Sequence, residues 1–524
     1  MKKNRLLLGV LILTLVMSLV ACSGSDDQGS VDTATQLTVT TNNGDIRGLS
    51  EDGVRKFLGV PFAKPPLEDL RFVPPQDAVD WDGILDCTEK KPSALQISDD
   101  KDVEYSEDCL YLNVWTPDDA SETSELPVLV FIHGGAFAIG SPNLEKYDGT
   151  RFAKDGVIQV NIAYRLNGLG FTAFDEVEEE YGYAGNMGQL DQIKGLQWIQ
   201  DNIASFGGDP HKVTVCGESA GSMSIANLML ADEAKGLFHR TIMQSGTSLM
   251  QSVLSPNSDG NKDEAKAMTQ KLMESVGADK FEDMQKVDAG EVVNNSAFSI
   301  DMTEQTPQYF FPVFDGKLFP ENPYDAIVNG KMNDMDIMTG FNTDEGSIFI
   351  PENTAEEDYE AYMDLVFGDK SDKVKKHYPL DAQHTSSDRL RQMVKLSLSL
   401  GSQVYGDALS ERGNNVFLYE YAYTTDFLEG KALGAHHGME LEFVFDTLSS
   451  HLQDQTSERV KEDIHQMWLN FIVDGDPNGD GKSGIHWPLY NSDDKKFLKI
   501  DVKSSAEKSP LTEDLEFMKS ILWE

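Results

Sequence analysis

Positive charge is scarce in this chain. Its 44 lysines and arginines stand against 88 aspartates and glutamates, a formal charge of −44. That deficit excludes nucleic-acid binding, which needs basic patches to displace counterions. The acidic residues are spread along the sequence and read as a soluble, self-repelling surface; a field that attracts cations is the sharper alternative. Cysteine is also sparse, with 4 in 524 residues, so no disulfide-dense framework holds the fold. Long apolar runs are missing apart from Leu6 to Val20, which falls short of the roughly 20 residues that a spanning helix needs. No internal repeat and no linker after residue 35 is visible. What remains is a globular composition, 40% hydrophobic, whose length suits one large α/β body with insertions.

Several apolar, β-branched runs have the character of buried parallel strands: Pro127–Ile132, Val157–Ile162, Val213–Cys216, Thr241–Met243, Asp336–Met338 and Val416–Tyr419. Between two of them, Gln189–Ala204 has helical spacing, with Leu190, Ile193, Leu196, Trp198 and Ile203 apolar. Strands alternating with helices predict an α/β fold, a mostly parallel central sheet with helices on both faces. Ligands in such sheets bind beyond the carboxyl ends of the strands. Residues 250–310 and 350–410 are polar and helix-prone, and are expected as helical insertions over the active-site end.

The chemistry concentrates in Phe206–Gly221. The Val213–Cys216 run ends in Gly217-Glu-Ser-Ala-Gly221, a G-x-S-x-G pattern with a helix-like segment after it. A serine on such a strand-to-helix turn presents its hydroxyl outward, so Ser219 is the candidate nucleophile. Cys216, alternating with Val215 and Val213, reads as a buried core residue. An acyl-transfer serine needs a base, an orienting carboxylate and donors for the oxyanion. The small-residue loop His133-Gly-Gly-Ala136 follows a strand, and the N–H groups of Gly135 and Ala136, with that of Ala220, are the candidate donors. Among the 10 histidines, His437 lies in the glycine-bounded Gly434–Glu440 loop after the Val416 strand, next to His436. For the carboxylate, Glu345 follows the Asp336 strand and Asp344 is its rival on spacing. The segment Asp476–Gly481 opens like a calcium loop, but Trp487 occupies the position of the required glutamate. The acidic run Asp175–Glu180 reads as a solvated loop. No metal and no cofactor is expected.

Longer motifs carry a resemblance. Phe206–Gly221 matches the active-serine signature of the type-B carboxylesterase family, which includes the cholinesterases, and Glu107–Pro117 matches its second signature. Gly59–Pro66 with Arg71–Pro75, and Gly475–Asn478 with Trp487-Pro488, are similar to further landmarks of that family. The resemblance runs from about residue 36 to the C-terminus. It implies an α/β-hydrolase fold, with Ser219 as nucleophile, Glu345 as acid and His437 as base. It selects His437 over His436, because the family's histidine immediately precedes a glycine and then x-Glu. It also implies a Cys87–Cys109 disulfide, and makes Glu218 and Ser245 supporting positions beside the site. One departure matters. Cholinesterases place a tryptophan between the bridged cysteines, whereas Thr88–Asp108 contains Tyr105 and no tryptophan, so a choline cage is not supported. Ala136 also stands where many relatives have a third glycine.

The N-terminus combines basic Met1–Arg5, the apolar Leu6–Val20 and Leu19-Val-Ala-Cys22, which resembles the lipobox of bacterial lipoproteins. The expected organisation is a signal peptide over 1–21, a lipid-bearing Cys22 with a flexible tether over 22–35, and one catalytic domain over 36–524. The body is then exported and held outside the cytoplasm at a bacterial membrane by its lipid. The expected activity is hydrolysis of a small-molecule carboxylic ester. A lipase, an amidase and a non-catalytic cell-surface binding module are the alternatives.

Overall fold

The computed structural model describes residues 35–98, 100–250, 260–297, 310–425, 432–481 and 484–523. The expected signal peptide, Cys22 and the tether up to residue 34 lie outside the described residues. The strands are β1 (Thr35–Thr41), β2 (Gly44–Glu51), β3 (Val54–Pro61), β4 (Ile84–Asp86), β5 (Ser93–Ala94), β6 (Tyr105–Ser106), β7 (Tyr111–Pro117) and β8 (Leu126–Ile132). They continue with β9 (Ile158–Ile162), β10 (Gly208–Glu218), β11 (Arg240–Gln244), β12 (Asp336–Asn342), β13 (Val416–Tyr421), β14 (Lys496–Ile500) and β15 (Ser505–Lys508). A 13-stranded sheet runs β1-β2-β3-β7-β9-β8-β10-β11-β12-β13-β14-β15, with β4 beside β2, while β5 and β6 pair separately. From β9 to β14 every neighbour is parallel. The flanks β1-β2-β3-β7-β9 and β14-β15 are antiparallel.

The central strands are apolar on both faces because helices cover both. Alternation along β8 divides its side chains: Val128, Val130 and Ile132 enter one core, Leu129 and Phe131 the other. Helices Met187–Asn202, Ala220–Leu230 and Ser386–Ser410 supply the first core, and Gln455–Asp474 supplies Val460, Ile464, Met467 and Trp468 to the second. Cys216 is a buried member of the second core, as read from its alternation. The described parts of the two helix-prone segments include Lys262–Val276, Ala289–Ser296 and Glu356–Phe367 as well as Ser386–Ser410. That last helix packs on β12, β13 and the turn Glu345–Ile348 at the carboxyl rim of the sheet. At the opposite rim, β9, β11 and β13 are entered through turns at Gly156, Gly236 and Gly413, where an added Cβ would meet no atom within 4 Å.

The Cys87–Cys109 bridge implied by resemblance is not formed; both cysteines are buried and free. Their surroundings explain it. The Cys87 main chain pairs with Arg47 and Leu58, and its Sγ lies 4.0 Å from Gly59 O. Cys109 instead lines a small cavity with Ala94, Leu95 and Arg165. Burial pushes the Cys87 thiol up to about 12 and raises that of Cys109 well above its ordinary value, so both stay protonated.

Candidate active site

Five strands deliver the site from one rim. β10 ends at Glu218, and Ser219 follows with φ 56° and ψ −122°, a strained conformation for a residue with a side chain. Hydrogen bonds hold it there: Ser219 N–H donates to Gln244 O at 2.8 Å, and Ser219 O accepts from Met223 N–H at 2.9 Å. The turn is tight enough that a Cβ on Gly221 would lie 2.0 Å from Ile132 O. This explains the second glycine of the motif.

The loop after β8 lies against this turn, because a Cβ on Gly134 would approach Glu218 O to 2.6 Å and Ser219 Cβ to 3.0 Å. Gly135, Ala136 and Phe137 take positive φ in succession, 113°, 53° and 56°. Phe137 is buried against Phe171 and Phe311, which anchors the strained run. Among the described residues, no acceptor takes the N–H groups of Gly135, Ala136 or Ala220. All three predicted donors therefore remain free beside Ser219. His133 braces the loop from below. Its Nδ1–H donates to Gly134 O at 2.8 Å, its ring stacks on Tyr164 at 4.5 Å, and burial lowers it to about 4, keeping it neutral.

Glu345 and His437, the candidate acid and base, are in contact. Glu345, fully buried, places Oε2 2.6 Å from His437 Nδ1. Its other oxygen accepts the Asn342 N–H at 2.7 Å. Asp344 is occupied elsewhere, accepting the Ala435 N–H at 2.9 Å. The His436 ring turns to the His437 carbonyl at 3.1 Å, away from the carboxylates. The spacing rivals are thus separated by geometry.

His437 Nε2 lies 3.0 Å from Glu218 Oε1, close enough for an ion pair. The angle does not make a hydrogen bond, since Oε1 has no hydrogen-bond partner among the described residues. Ser219 Oγ makes no hydrogen bond among the described residues either, and the residue is partly exposed. Burial alone would lower the imidazole. The carboxylates of Glu218, Glu345 and Glu440 outweigh it and push His437 up to about 9. Glu440 is itself raised by burial, to about 7. Glu218 is also raised by burial, against the opposing pull of His437 and Lys146.

Ser245 is less connected than expected. It is buried with φ 55°, its N–H donates to Gly340 O at 2.8 Å, and its Oγ has no partner among the described residues. Sequence reasoning missed other residues here. Phe349, four residues beyond Glu345, sets its ring 5.3 Å from that of His437 and stays 39% exposed, so an aromatic ring reaches the surface beside the imidazole. Gln244 Nε2 and Asn342 Nδ2 donate to the two oxygens of Glu440, at 2.9 Å and 2.6 Å. The His-Gly-Met-Glu spacing was the one available signal for Glu440. Among the described residues no group of histidine, cysteine and carboxylate side chains is arranged to hold a metal ion.

The model of the carboxylesterase family matches residues 35–518. The para-nitrobenzyl esterase of Bacillus subtilis (strain 168) is 33% identical over 500 residues, spanning 91% of this chain and 98% of that protein. The medium-chain fatty acyl-CoA hydrolase precursor of Anas platyrhynchos is 31% identical over 562 residues, covering 98% and 96%. A solved PNB esterase structure superposes with a TM-score of 0.81 at 31% identity, over 92% of this chain and 99% of that one.

Proposed function

The chain belongs to the carboxylesterase family and is a serine carboxylic-ester hydrolase; from that premise we propose that Ser219, His437 and Glu345 form its catalytic triad and that the reaction passes through an acyl-enzyme. Ser219 Oγ attacks the ester carbonyl while His437 Nε2 takes its proton, turning from Glu218 toward the serine as substrate arrives. Glu345 fixes the tautomer through the Nδ1 contact and stabilises the imidazolium. The oxyanion accepts hydrogen bonds from Gly135, Ala136 and Ala220, each donor contributing about 10²–10³ in rate. His437 returns its proton to the departing alcohol. Water, deprotonated by the same base, then releases the acid.

The observation that carries this reading is the 2.6 Å contact between His437 and buried Glu345, on the same rim as the strained Ser219. A panel of nitrophenyl esters of increasing acyl length, assayed with the body from residue 36 and its Ser219→Ala variant, tests it. The variant is expected to lose at least ~10⁴-fold in kcat. Turnover equal to the parent's would overturn the triad. Lipidation of Cys22, and with it export and attachment to a bacterial membrane, belongs to the same reading. Its support is the Leu19–Cys22 motif behind a basic, apolar leader. Equal fatty-acid labelling of a Cys22→Ala variant would count against it.

A further inference from the structure

Asn342 is fully buried at the last position of β12 and stands between the acid and the base. Its main-chain N–H donates to Glu345 Oε1 at 2.7 Å. Its Nδ2 donates twice, to His436 O at 2.7 Å and to Glu440 Oε2 at 2.6 Å. The carbonyl of His436 belongs to the peptide that carries the His437 nitrogen, so the amide holds the base-bearing loop directly. Glu440 lies three residues further along the same loop, and its second oxygen is taken by Gln244, whose own carbonyl holds the Ser219 N–H.

The orientation of the amide follows from its partners. The His436 carbonyl facing Nδ2 can only accept, which fixes the amide nitrogen on that side, whereas Oδ1 has no hydrogen-bond partner among the described residues. A buried acceptor left unpaired opposes folding. An apolar residue of similar size would avoid that cost, so the amide is there for its donors.

We propose that Asn342 is a positioning residue: one side chain ties the strand bearing Glu345 to the loop bearing His437 and so sets the geometry of the acid–base pair. The inference rests on the triad reading above. The groups touching Asn342 are Glu345 on its own segment, His436 and Glu440 on the base loop, and Tyr421, its register partner on β13; Glu218 and Glu345 act by their charge on Glu440, which in turn acts on Tyr419.

Asn342→Asp is nearly isosteric and replaces the double donor with an oxygen. Ionised, that oxygen repels both the Glu440 carboxylate and the His436 carbonyl; protonated, it donates one bond. The variant should lose ~10–100-fold in kcat at pH 8 with KM changed less than about twofold. Measured against the parent at the same pH, that loss should shrink as pH falls and the new carboxyl takes up its proton. The low-field proton resonance of the His437–Glu345 hydrogen bond should shift or broaden. Asn342→Thr adds no charge and keeps one donor, so it serves if the aspartate variant does not fold; a smaller kcat loss at constant KM is expected, without that shrinkage at lower pH. A folded variant of either kind that keeps parental kcat and an unchanged resonance overturns the proposal. Ser219→Ala runs alongside: turnover retained there would sink the triad, while the resonance in the Asn342 variants would still decide the role of the amide.

Discussion

His437 sits among three buried carboxylates, and this sets how the residue responds to pH. The folded protein holds a proton on it more tightly than the unfolded chain does, up to about 9 against 6.5. The stability that this lends is complete below about 6.5 and is lost as pH rises through about 9. Under the proposed triad activity should move the other way, since Ser219 would need a neutral imidazole. The acidic limb of kcat/KM should therefore have its midpoint above 6.5, and Glu218→Gln, which removes the carboxylate beside Nε2, should move it back toward 6.5. A profile unmoved by that change would mean that Glu218 does not act on the base. At this scale the sequence is unevenly legible. Ser219, Glu345 and His437 each stand in a glycine-marked turn after an apolar run, and can be read from it. Asn342 and Gln244 cannot, because their shared partner Glu440 lies 98 and 196 residues away. Nothing local to a strand-end amide says which carboxylate it will face.

The turn Glu345–Ile348 is held by what packs behind it. A Cβ on Gly346 would lie 2.5 Å from Arg391 Cα, inside the long helix Ser386–Ser410. That helix is fixed at its start by a capping box, with Thr385 Oγ1 accepting from Asp388 N and Asp388 Oδ2 accepting from Thr385 N. Gly346→Ala should push the turn off the helix, costing about 1–3 kcal/mol of stability and lowering kcat more than it raises KM. Thermal melts and ester kinetics check the two effects; a full kcat at parental Tm would show that the helix yields. Elements were legible where burial is two-sided. Each predicted parallel run falls within or overlaps an observed strand, since continuous apolar runs bounded by turns have few other uses. β1, β2, β3 and β7, the antiparallel flank, went unread. β1 is mostly exposed, with only Val39 and Thr41 buried, and mixed polar strands of this kind look like loops until their partners are known.

For the molecule as a whole, three described cysteines are free and buried, which leaves no covalent cross-link in the described body. Denaturing the body from residue 36 without reductant should release three thiols to a thiol reagent, and the native protein should react slowly if at all. One thiol would indicate that Cys87 and Cys109 had joined. The spacing of these two cysteines is suitable for a bridge in the linear chain, but direction is a three-dimensional property, and Cys109 faces Ala94 and Arg165 instead. The sheet also separates the molecule into a working rim and an idle one. Every candidate catalytic group lies past the carboxyl ends of the strands, whereas Gly156, Gly236 and Gly413 turn in open space at the other ends. Those turns are where a tag, a tether to a solid support or a new pair of chain ends belongs. Anchored there, the protein would present its candidate catalytic rim outward, with the length of the strands between the attachment and the ester.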